Sequence, residues 1–460
     1  MNPFYNPIFL SKILKSYLFD INRLNYFDEE ALKKYQDRCI KNIFKFAYAV
    51  PLYHDKYKKV GITPNDIQRI EDIEKLPIIS KDDIKLYYPN GIVQQSIRKK
   101  NLIKITTSGT TGKSLSLYGE FYDSVLWLFW YIRILKNHGI DWRKDKLSII
   151  GDFATHTIGS AYITRGILKN LNSNYFFSNM QWLNTNDAPI EVCKELNRFQ
   201  PDFIGGYVGM LGHLAILKEK GYGDNIKPRS IATIGSILTP PLRNLLEKSF
   251  GAKVFDVYGA TESGTIAFQC RRGRYHIMAD LVYPEFLKNG KAVQSKEQGK
   301  ILITKLYGGG TPIIRYESVN DIVAPLYEKC DCGLVGGLID RIYGRDDLSL
   351  YFSGGRVMLP SSQAEIFGRI LYELKCNKIK ETRIIQHSLT KLEIKLMFDK
   401  KLKNEVPSKD EIFSIIKKGY EEKIGTDVEI DIKEEEMKND NEPHIISKVE
   451  KSKFSIKEYI

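Results

Sequence analysis

From residue 28 to residue 60 apolar side chains return at three- and four-residue steps, at Ala31, Tyr35, Cys39, Ile43, Phe46 and Ala47. That period lines one face of an α-helix, and residues 1–100 read as a helical leader region. Within it, Leu76-Pro77-Ile78-Ile79-Ser80-Lys81-Asp82-Asp83 reads as an extended piece that Ser80 caps into a short helix. From residue 101 to about 260 the pattern changes, and short apolar runs alternate with helical stretches. Leu147-Ser148-Ile149-Ile150, Phe203-Ile204-Gly205-Gly206, Ile231-Ala232-Thr233-Ile234 and Val254-Phe255-Asp256-Val257 are the expected strands. Strands alternating with helices predict a layered α/β domain. Residues 299–325 read as antiparallel β structure around the turn-rich Gly308-Gly309-Gly310. A break follows near Gly344-Arg345-Asp346-Asp347. Beyond it, helical segments near 362–376 and 409–423 alternate with strands such as Glu393-Ile394-Lys395-Leu396-Met397-Phe398. The fold expectation is thus a large α/β N-terminal domain with a β-rich subdomain, residues 1–344, and a small α+β C-terminal domain, residues 345–460.

Composition narrows the class. A chain of 460 residues, 43% hydrophobic and 27% charged, has the balance of a soluble globular protein of more than one domain. No apolar run approaches the ~20 residues of a membrane span, and residues 1–19 lack the features of a secretory signal. Six scattered cysteines argue for a reducing, cytoplasmic setting. The net charge of +13 comes from lysines mixed with acids, as in Lys409-Asp410-Glu411. Mixed signs mean solvated faces rather than a nucleic-acid surface, and the balance equally suits a pocket for a polyanion such as ATP. Leu10-Ser11-Lys12-Ile13-Leu14-Lys15-Ser16-Tyr17-Leu18-Phe19 fits either an amphipathic anchor at a membrane surface or a packing or dimer helix.

Four segments carry candidate chemistry. Thr106-Thr107-Ser108-Gly109-Thr110-Thr111-Gly112-Lys113, between the apolar runs at 102–105 and 115–117, is a loop of hydroxyls, glycines and one cation able to curl around an anion. Its spacing is not that of a Walker phosphate loop. Asp256-Val257-Tyr258-Gly259-Ala260-Thr261-Glu262-Ser263 puts a stacking ring, a phosphate donor and a Mg²⁺ ligand at one strand end, where α/β sites gather. In Pro312-Ile313-Ile314-Arg315-Tyr316-Glu317-Ser318-Val319-Asn320-Asp321, the carboxylate of Asp321 can accept both hydrogen bonds of a ribose diol. Asp340-Arg341-Ile342-Tyr343-Gly344-Arg345-Asp346-Asp347 is a charged connection at the domain break. Separately, Cys270, His276, Cys330 and Cys332 offer three thiolates and an imidazole, a tetrahedral Zn²⁺ set or else unrelated thiols beside a surface histidine.

In this order the four segments resemble the core motifs of the adenylate-forming superfamily of acyl-CoA synthetases, adenylation domains and luciferases. The likeness is greatest to the phenylacetate–CoA ligase branch and its capsular-polysaccharide (CapK-type) proteins, whose leader is similar to Phe46-Ala47-Tyr48-Ala49-Val50-Pro51-Leu52-Tyr53 and the segment at 76–81. The resemblance implies ATP-dependent activation of a small carboxylic acid. An acyl-adenylate forms with release of pyrophosphate, and the acyl group passes to coenzyme A or to an amine, in the capsule proteins a sugar amine. It implies that Ser108, Gly109, Thr110, Thr111, Gly112 and Lys113 hold the β- and γ-phosphates. Gly235, Ser236, Tyr258 and Gly259 border the adenine, Thr261 touches the α-phosphate and Glu262 holds Mg²⁺. Asp321 and Arg345 serve the ribose, and Asp347 is the hinge of a mobile C-terminal domain. Lys451 would neutralise charge at the α-phosphate, with Lys448 and Lys453 as alternatives. The branch's own Cys/His sets favour the structural zinc reading. This chain departs from the pattern in three places. Glu450 precedes Lys451 where the family has glycine. Asp321 lies five residues past Tyr316 instead of four, which implies a local bulge or a shifted site. Gly235-Ser236-Ile237-Leu238 replaces Gly-Ala-Glu-Pro, so an aromatic acid does not carry over. A protein of the same fold that binds nucleotide without turnover is the alternative.

Overall fold

The computed structural model describes residues 3–107, 114–153, 157, 160, 178–317, 319–402, 406–436, 444–450, 456 and 458–460. Its centre is a twelve-stranded mixed sheet. Five strands form the parallel half: β3 (Leu147–Gly151), β4 (Met180–Asn184), β5 (Phe203–Tyr207), β6 (Ser230–Ile234) and β7 (Lys253–Ala260), in the order β4-β3-β5-β6-β7. β3, β5, β6 and β7 are buried along most of their length because both faces of the sheet are covered there, whereas β4, at the sheet edge, is half-buried throughout. Ile204, Ile231 and Val254 join one core with Leu196, Leu211 and Leu246 from the helices Pro189–Phe199, Val208–Glu219 and Pro240–Phe250. Their neighbours Phe203, Ala232 and Phe255 join the opposite core with Trp130 and Ile134 of the helix Phe121–Asn137. The period-two alternation of a strand thus divides the sheet between two helical layers.

The antiparallel half continues from β7 through β8 (Gly264–Gln269) and β9 (Tyr275–Ile277) to β14 (Leu338–Arg345). It ends with β13 (Asp321–Leu326), β12 (Gly299–Lys305), β10 (Val282–Lys288) and β11 (Lys291–Ala292). The antiparallel pairing expected for residues 299–325 is there, with Gly299 opposite Val323 and Lys300 opposite Ile322. A separate hairpin, β1 (Ile103–Thr106) against β2 (Ser116–Gly119), is the pair of strands that flanks the hydroxyl-rich loop. Its ladder runs on to Thr107, whose amide donates to Leu115 O at 2.9 Å and whose Oγ1 accepts from Leu115 N at 2.9 Å. The Gly308–Thr311 turn anchors the hairpin, since Thr311 N donates to Tyr118 O at 2.7 Å. A Cβ on Gly310 would lie 2.0 Å from that carbonyl, so only glycine permits the approach.

The leader forms the helices Glu29–Tyr48 and Pro51–Lys59, the first capped by Asp28, whose Oδ1 accepts from Ala31 N at 2.7 Å. Its buried line is Leu32, Ile40, Ile43, Phe44 and Ala47. The expected stripe shares only Ile43 and Ala47 with it, and Ala31, Tyr35, Cys39 and Phe46 are half-buried. Ser80 caps the helix Lys81–Tyr87 in a reciprocal box with Asp83, as the sequence implies. The extended stretch before it straps the leader to the β-rich half. Ile79 N donates to Arg315 O at 3.0 Å and Glu317 N to Ile79 O at 3.1 Å, and Arg315 donates to Glu74 O, Leu76 O and both oxygens of Glu285.

Beyond Arg345 a four-stranded sheet combines β17 (Ile379–Ser388), β18 (Lys391–Phe398), β19 (Glu429–Glu434) and β20 (Ile445–Ser447), in the order β19-β18-β17-β20. The helix Lys409–Ile424 covers it through Ile412, Ile416 and Tyr420, which join a core with Leu392, Ile394 and Leu396. No helix among the described residues is long and apolar enough to cross a membrane.

Candidate active site

The carboxyl ends of β3, β5, β6 and β7 open into a cleft of about 1080 Å³. A doubly wound sheet gathers its ligands there, because strand ends leave backbone groups and loop side chains facing a common crevice. Gly235, Ser236, Tyr258, Gly259, Thr261, Glu262, Asp321 and Arg345 all line it, drawn from four strands and their loops. Residues up to 110 positions apart in the chain, from Arg345 back to Gly235, therefore meet in one place, and Thr107 lines the same cleft. Residues 108–113, His156, Lys451 and Lys453 lie outside the described residues. Lys448, at the end of β20, is not among the cleft residues; its Nζ lies 3.2 Å from His387 Nδ1.

Tyr258 is 8% exposed and donates from Oη to Asp321 Oδ2 at 2.6 Å. Burial lifts the Asp321 carboxyl to about 6, against the pull of the Tyr258 hydroxyl and the Arg345 guanidinium. Burial also raises Glu262, which Lys81, Arg345 and the Tyr316 hydroxyl at 3.4 Å draw back toward the ionised form. Three carboxylates (Asp321, Glu262 and Asp347) thus share the cationic field of Arg345 and Lys81. Arg345 is itself fixed by Asp347, with two bonds of 2.9 and 2.8 Å. Three carboxylates beside two cations suit a ligand that brings positive and negative charge of its own.

The five-residue spacing before Asp321 is resolved by a turn. Asn320 adopts φ +64°, a left-handed conformation that asparagine tolerates better than most residues. Its amide donates to Glu317 O at 3.0 Å and its carbonyl accepts from Asp346 N at 2.6 Å. The extra residue is absorbed there, and Asp321 still starts β13 beside Tyr258.

Lys81, at the first position of its helix, is a cleft residue that sequence reading missed. The Ser80 cap was legible, but the long-range contacts that carry this turn to the cleft, the Ile79–Tyr316 bridge and the Arg315 bonds to Glu74 O and Leu76 O, were not. A further limb runs between the sheet and the helix Phe121–Asn137, lined by Trp127, Tyr131, Ile149, Gly205 and Ala232. A Cβ on Gly205 would lie 2.5 Å from Tyr131 Oη, and that buried hydroxyl has no hydrogen-bond partner among the described residues.

Away from the cleft, Cys270, His276, Cys330 and Cys332 bring their ligand atoms within 4.8 Å of one another. Cys270 follows β8, His276 lies in β9, and the other two lie between β13 and β14. Cys270 Sγ and Cys330 Sγ are 3.9 Å apart, and Cys332 Sγ is 3.1 Å from His276 Nε2. A regular tetrahedron with Zn–S bonds near 2.3 Å has edges of about 3.8 Å. The donor set and its spacing fit zinc, and the short Cys-x-Cys interval does not prevent convergence.

Phenylacetate–coenzyme A ligases of Pseudomonas putida and Escherichia coli (strain K12) are similar to this chain at 24% and 25% identity. The matches run over 302 and 350 residues, 63% and 73% of this chain and 66% and 76% of theirs. Protein CapK of Staphylococcus aureus is 24% identical over 273 residues, 58% of this chain and 57% of its own length. A crystal structure of 2-hydroxyisobutyryl-CoA ligase in the postadenylation state, in complex with 2-HIB-AMP, shares the fold. Its TM-score is 0.69 at 16% identity, covering 93% of this chain and 89% of that one. These relatives and this fold support an adenylate-forming protein similar to the phenylacetate–CoA ligase branch. No protein-family model matches this chain. The chain shares with the 2-hydroxyisobutyryl-CoA ligase a mixed α/β architecture with large sheets, at low sequence identity.

Proposed function

We propose that this protein activates a small carboxylic acid with ATP and transfers the acyl group to coenzyme A. A carboxylate oxygen attacks the α-phosphorus, the bond to the bridging oxygen breaks, and pyrophosphate leaves an acyl-adenylate. The acceptor sulfur then attacks the acyl carbon, loses its proton and expels AMP. The observation that carries the reading is the convergence of Tyr258, Thr261, Glu262, Asp321 and Arg345 on one cleft at the carboxyl edge of the parallel sheet. The phenylacetate–CoA ligases among its relatives support the thiol acceptor, and the CapK likeness supports an amine, such as that of an amino sugar, as the second candidate.

In this reading Tyr258, Gly235, Ser236 and Gly259 border the adenine, and Asp321 receives the ribose hydroxyls with Arg345 beside it. Thr261 donates to the α-phosphate. Glu262 would hold Mg²⁺, which when bound neutralises phosphate charge. Ser108, Gly109, Thr110, Thr111, Gly112 and Lys113 cradle the β- and γ-phosphates, and Lys451 meets charge developing at the α-phosphate. Lys81, close enough to Arg345 and Glu262 to feel both charges, adds a second cation. The limb beside Trp127 and Tyr131 takes the acyl chain, with Tyr131 Oη as a donor to it. Residues 345–460 turn about Asp347 between the half-reactions. Cys270, His276, Cys330 and Cys332 hold a closed structural zinc that ties β8, β9 and the β13–β14 connection together and takes no part in the chemistry.

The test is exchange of labelled pyrophosphate into ATP, driven by a panel of carboxylic acids. Exchange that needs an acid, and falls by about 10²–10³ in Glu262→Gln, is the expected result. Nucleotide binding with no exchange on any acid would leave a binding protein of the same fold.

A further inference from the structure

The helix Pro7–Lys15 begins at Asn6, whose Oδ1 accepts from the amides of Ile8 and Phe9 at 3.0 and 3.3 Å, and continues into the wide turn Ser16–Asp20. Its inner face is settled. Phe9, Ile13 and Tyr17 pack with Val125, Phe129 and Ile132 of the helix Phe121–Asn137, with ring contacts such as Tyr17–Phe129 at 5.8 Å. Its outer face is not. Ile8 is 80% exposed, Leu10 44%, Leu14 57%, Leu18 54% and Phe19 62%. Large apolar side chains grouped on one exposed element mark a surface that meets something other than water.

Charge selects the occupant. No aspartate or glutamate occurs from residue 3 to residue 19, whereas Lys12 and Lys15 lie among the exposed apolar positions. Lys12 Nζ sits 3.5 Å from the Tyr122 ring centroid, which holds one cation at the margin of the patch. A second copy docking here by a twofold axis would set the patch against itself, lysines facing lysines with no carboxylate from residues 3–19 between them. The acids beside Lys12, Glu120 and buried Asp123, belong to the neighbouring helix and its cap. An anionic lipid surface offers the complement to both features: acyl chains for the leucines and phosphates for the lysines. We propose that this face is a peripheral docking surface for anionic membranes, lying in the interfacial plane with the helix Phe121–Asn137 behind it. The inference is independent of the catalytic reading, because the helix Pro7–Lys15 contributes no residue to the cleft.

The full chain is floated with vesicles of phosphatidylcholine alone and with phosphatidylglycerol added. The expected result is capture by the phosphatidylglycerol vesicles, at least tenfold weaker on phosphatidylcholine alone. Leu14→Glu/Leu18→Glu should weaken capture at least tenfold, and Lys12→Gln/Lys15→Gln should erase the preference for the anionic lipid. The melting temperature should stay unchanged in the leucine pair, since both side chains already face water. Failure of the phosphatidylglycerol vesicles to capture the protein overturns the proposal, as does equal capture by both vesicles or capture that the leucine pair leaves unaltered. A concentration-dependent dimer in sedimentation that the same pair abolishes would assign the face to a second copy and overturn it equally.

Discussion

Replacing Asp321 by asparagine should make the free protein more stable while weakening its hold on nucleotide. The carboxyl titrates at about 6 in the fold against an ordinary 3.8. At 1.36 kcal/mol for each pH unit between these values, ionisation costs the folded state about 3 kcal/mol. Because the side chain is partly exposed, about 1–3 kcal/mol is the expected range. The sign follows from which state loses its proton first. As pH rises past 3.8 the unfolded chain ionises while the folded one still holds its proton, so stability falls until the folded carboxyl also ionises near 6. Asparagine removes that loss and still accepts from Tyr258 Oη. Urea midpoints for the two proteins should therefore coincide near pH 4, diverge through 6 and hold a constant gap above it, with the variant higher. Calorimetry at pH 8 should show at least tenfold weaker AMP binding in the variant. Hydrogen bonds to a charged acceptor contribute about 1.5–3 kcal/mol each, and the ribose diol would lose two of them. The wild type should itself bind AMP less tightly below pH 6. A stability gap that does not grow with pH refutes the burial argument, and unchanged AMP affinity refutes the ribose assignment.

Three further outcomes follow from the site and its supports. Lys451→Ala should abolish acid-dependent pyrophosphate exchange, whereas Lys448→Ala and Lys453→Ala should retain it; quantitative exchange assays on the three variants decide which lysine the tail delivers. One zinc per chain should be found by elemental analysis, and Cys332→Ser should lose it together with several degrees of melting temperature, since a closed metal site contributes folding free energy. Arg315→Ala would strand Glu285, whose side chain is 8% exposed, and should cost about 3–5 kcal/mol in urea unfolding.

Four of the five parallel strands, β3, β5, β6 and β7, were legible because their apolar runs are buried on both faces. The edge strand β4, Met180–Asn184, carries polar Gln181 and Asn184, is half-buried throughout and was not. The leader helix was legible as a helix but not in its rotation. Consecutive positions differ by only about 100° around the axis, and the choice between neighbouring stripes was settled by polar partners far away in sequence. Tyr35 left the core line because Arg23, itself paired with buried Asp280, donates to its hydroxyl at 2.9 Å. Lys81 shows the same limit from the opposite side. Its cap is written locally in Ser80 and Asp83, yet its place at the cleft depends on a strand bridge to Tyr316, more than two hundred residues on.

The extra residue before Asp321 shows what motif spacing encodes. Counting positions tests whether a side chain arrives at the right place only when the backbone between the fixed points is regular. Here it is not: Tyr316 is pinned by bridges to Ile79 and Ile303, and Asp321 by its pairing with Arg345 in β14. Between those anchors the chain has freedom to add one residue, provided some position accepts a left-handed conformation, and Asn320 supplies it at φ +64°. The Asn320 carbonyl then receives Asp346 N, one residue past the arginine that faces Asp321, so the insertion is tied into the same segment that closes the site. Asparagine accepts the left-handed turn at this position, and a β-branched substitute such as valine should draw Asp321 away from Tyr258 and Arg345 while the bridges of Tyr316 to Ile79 and Ile303 hold.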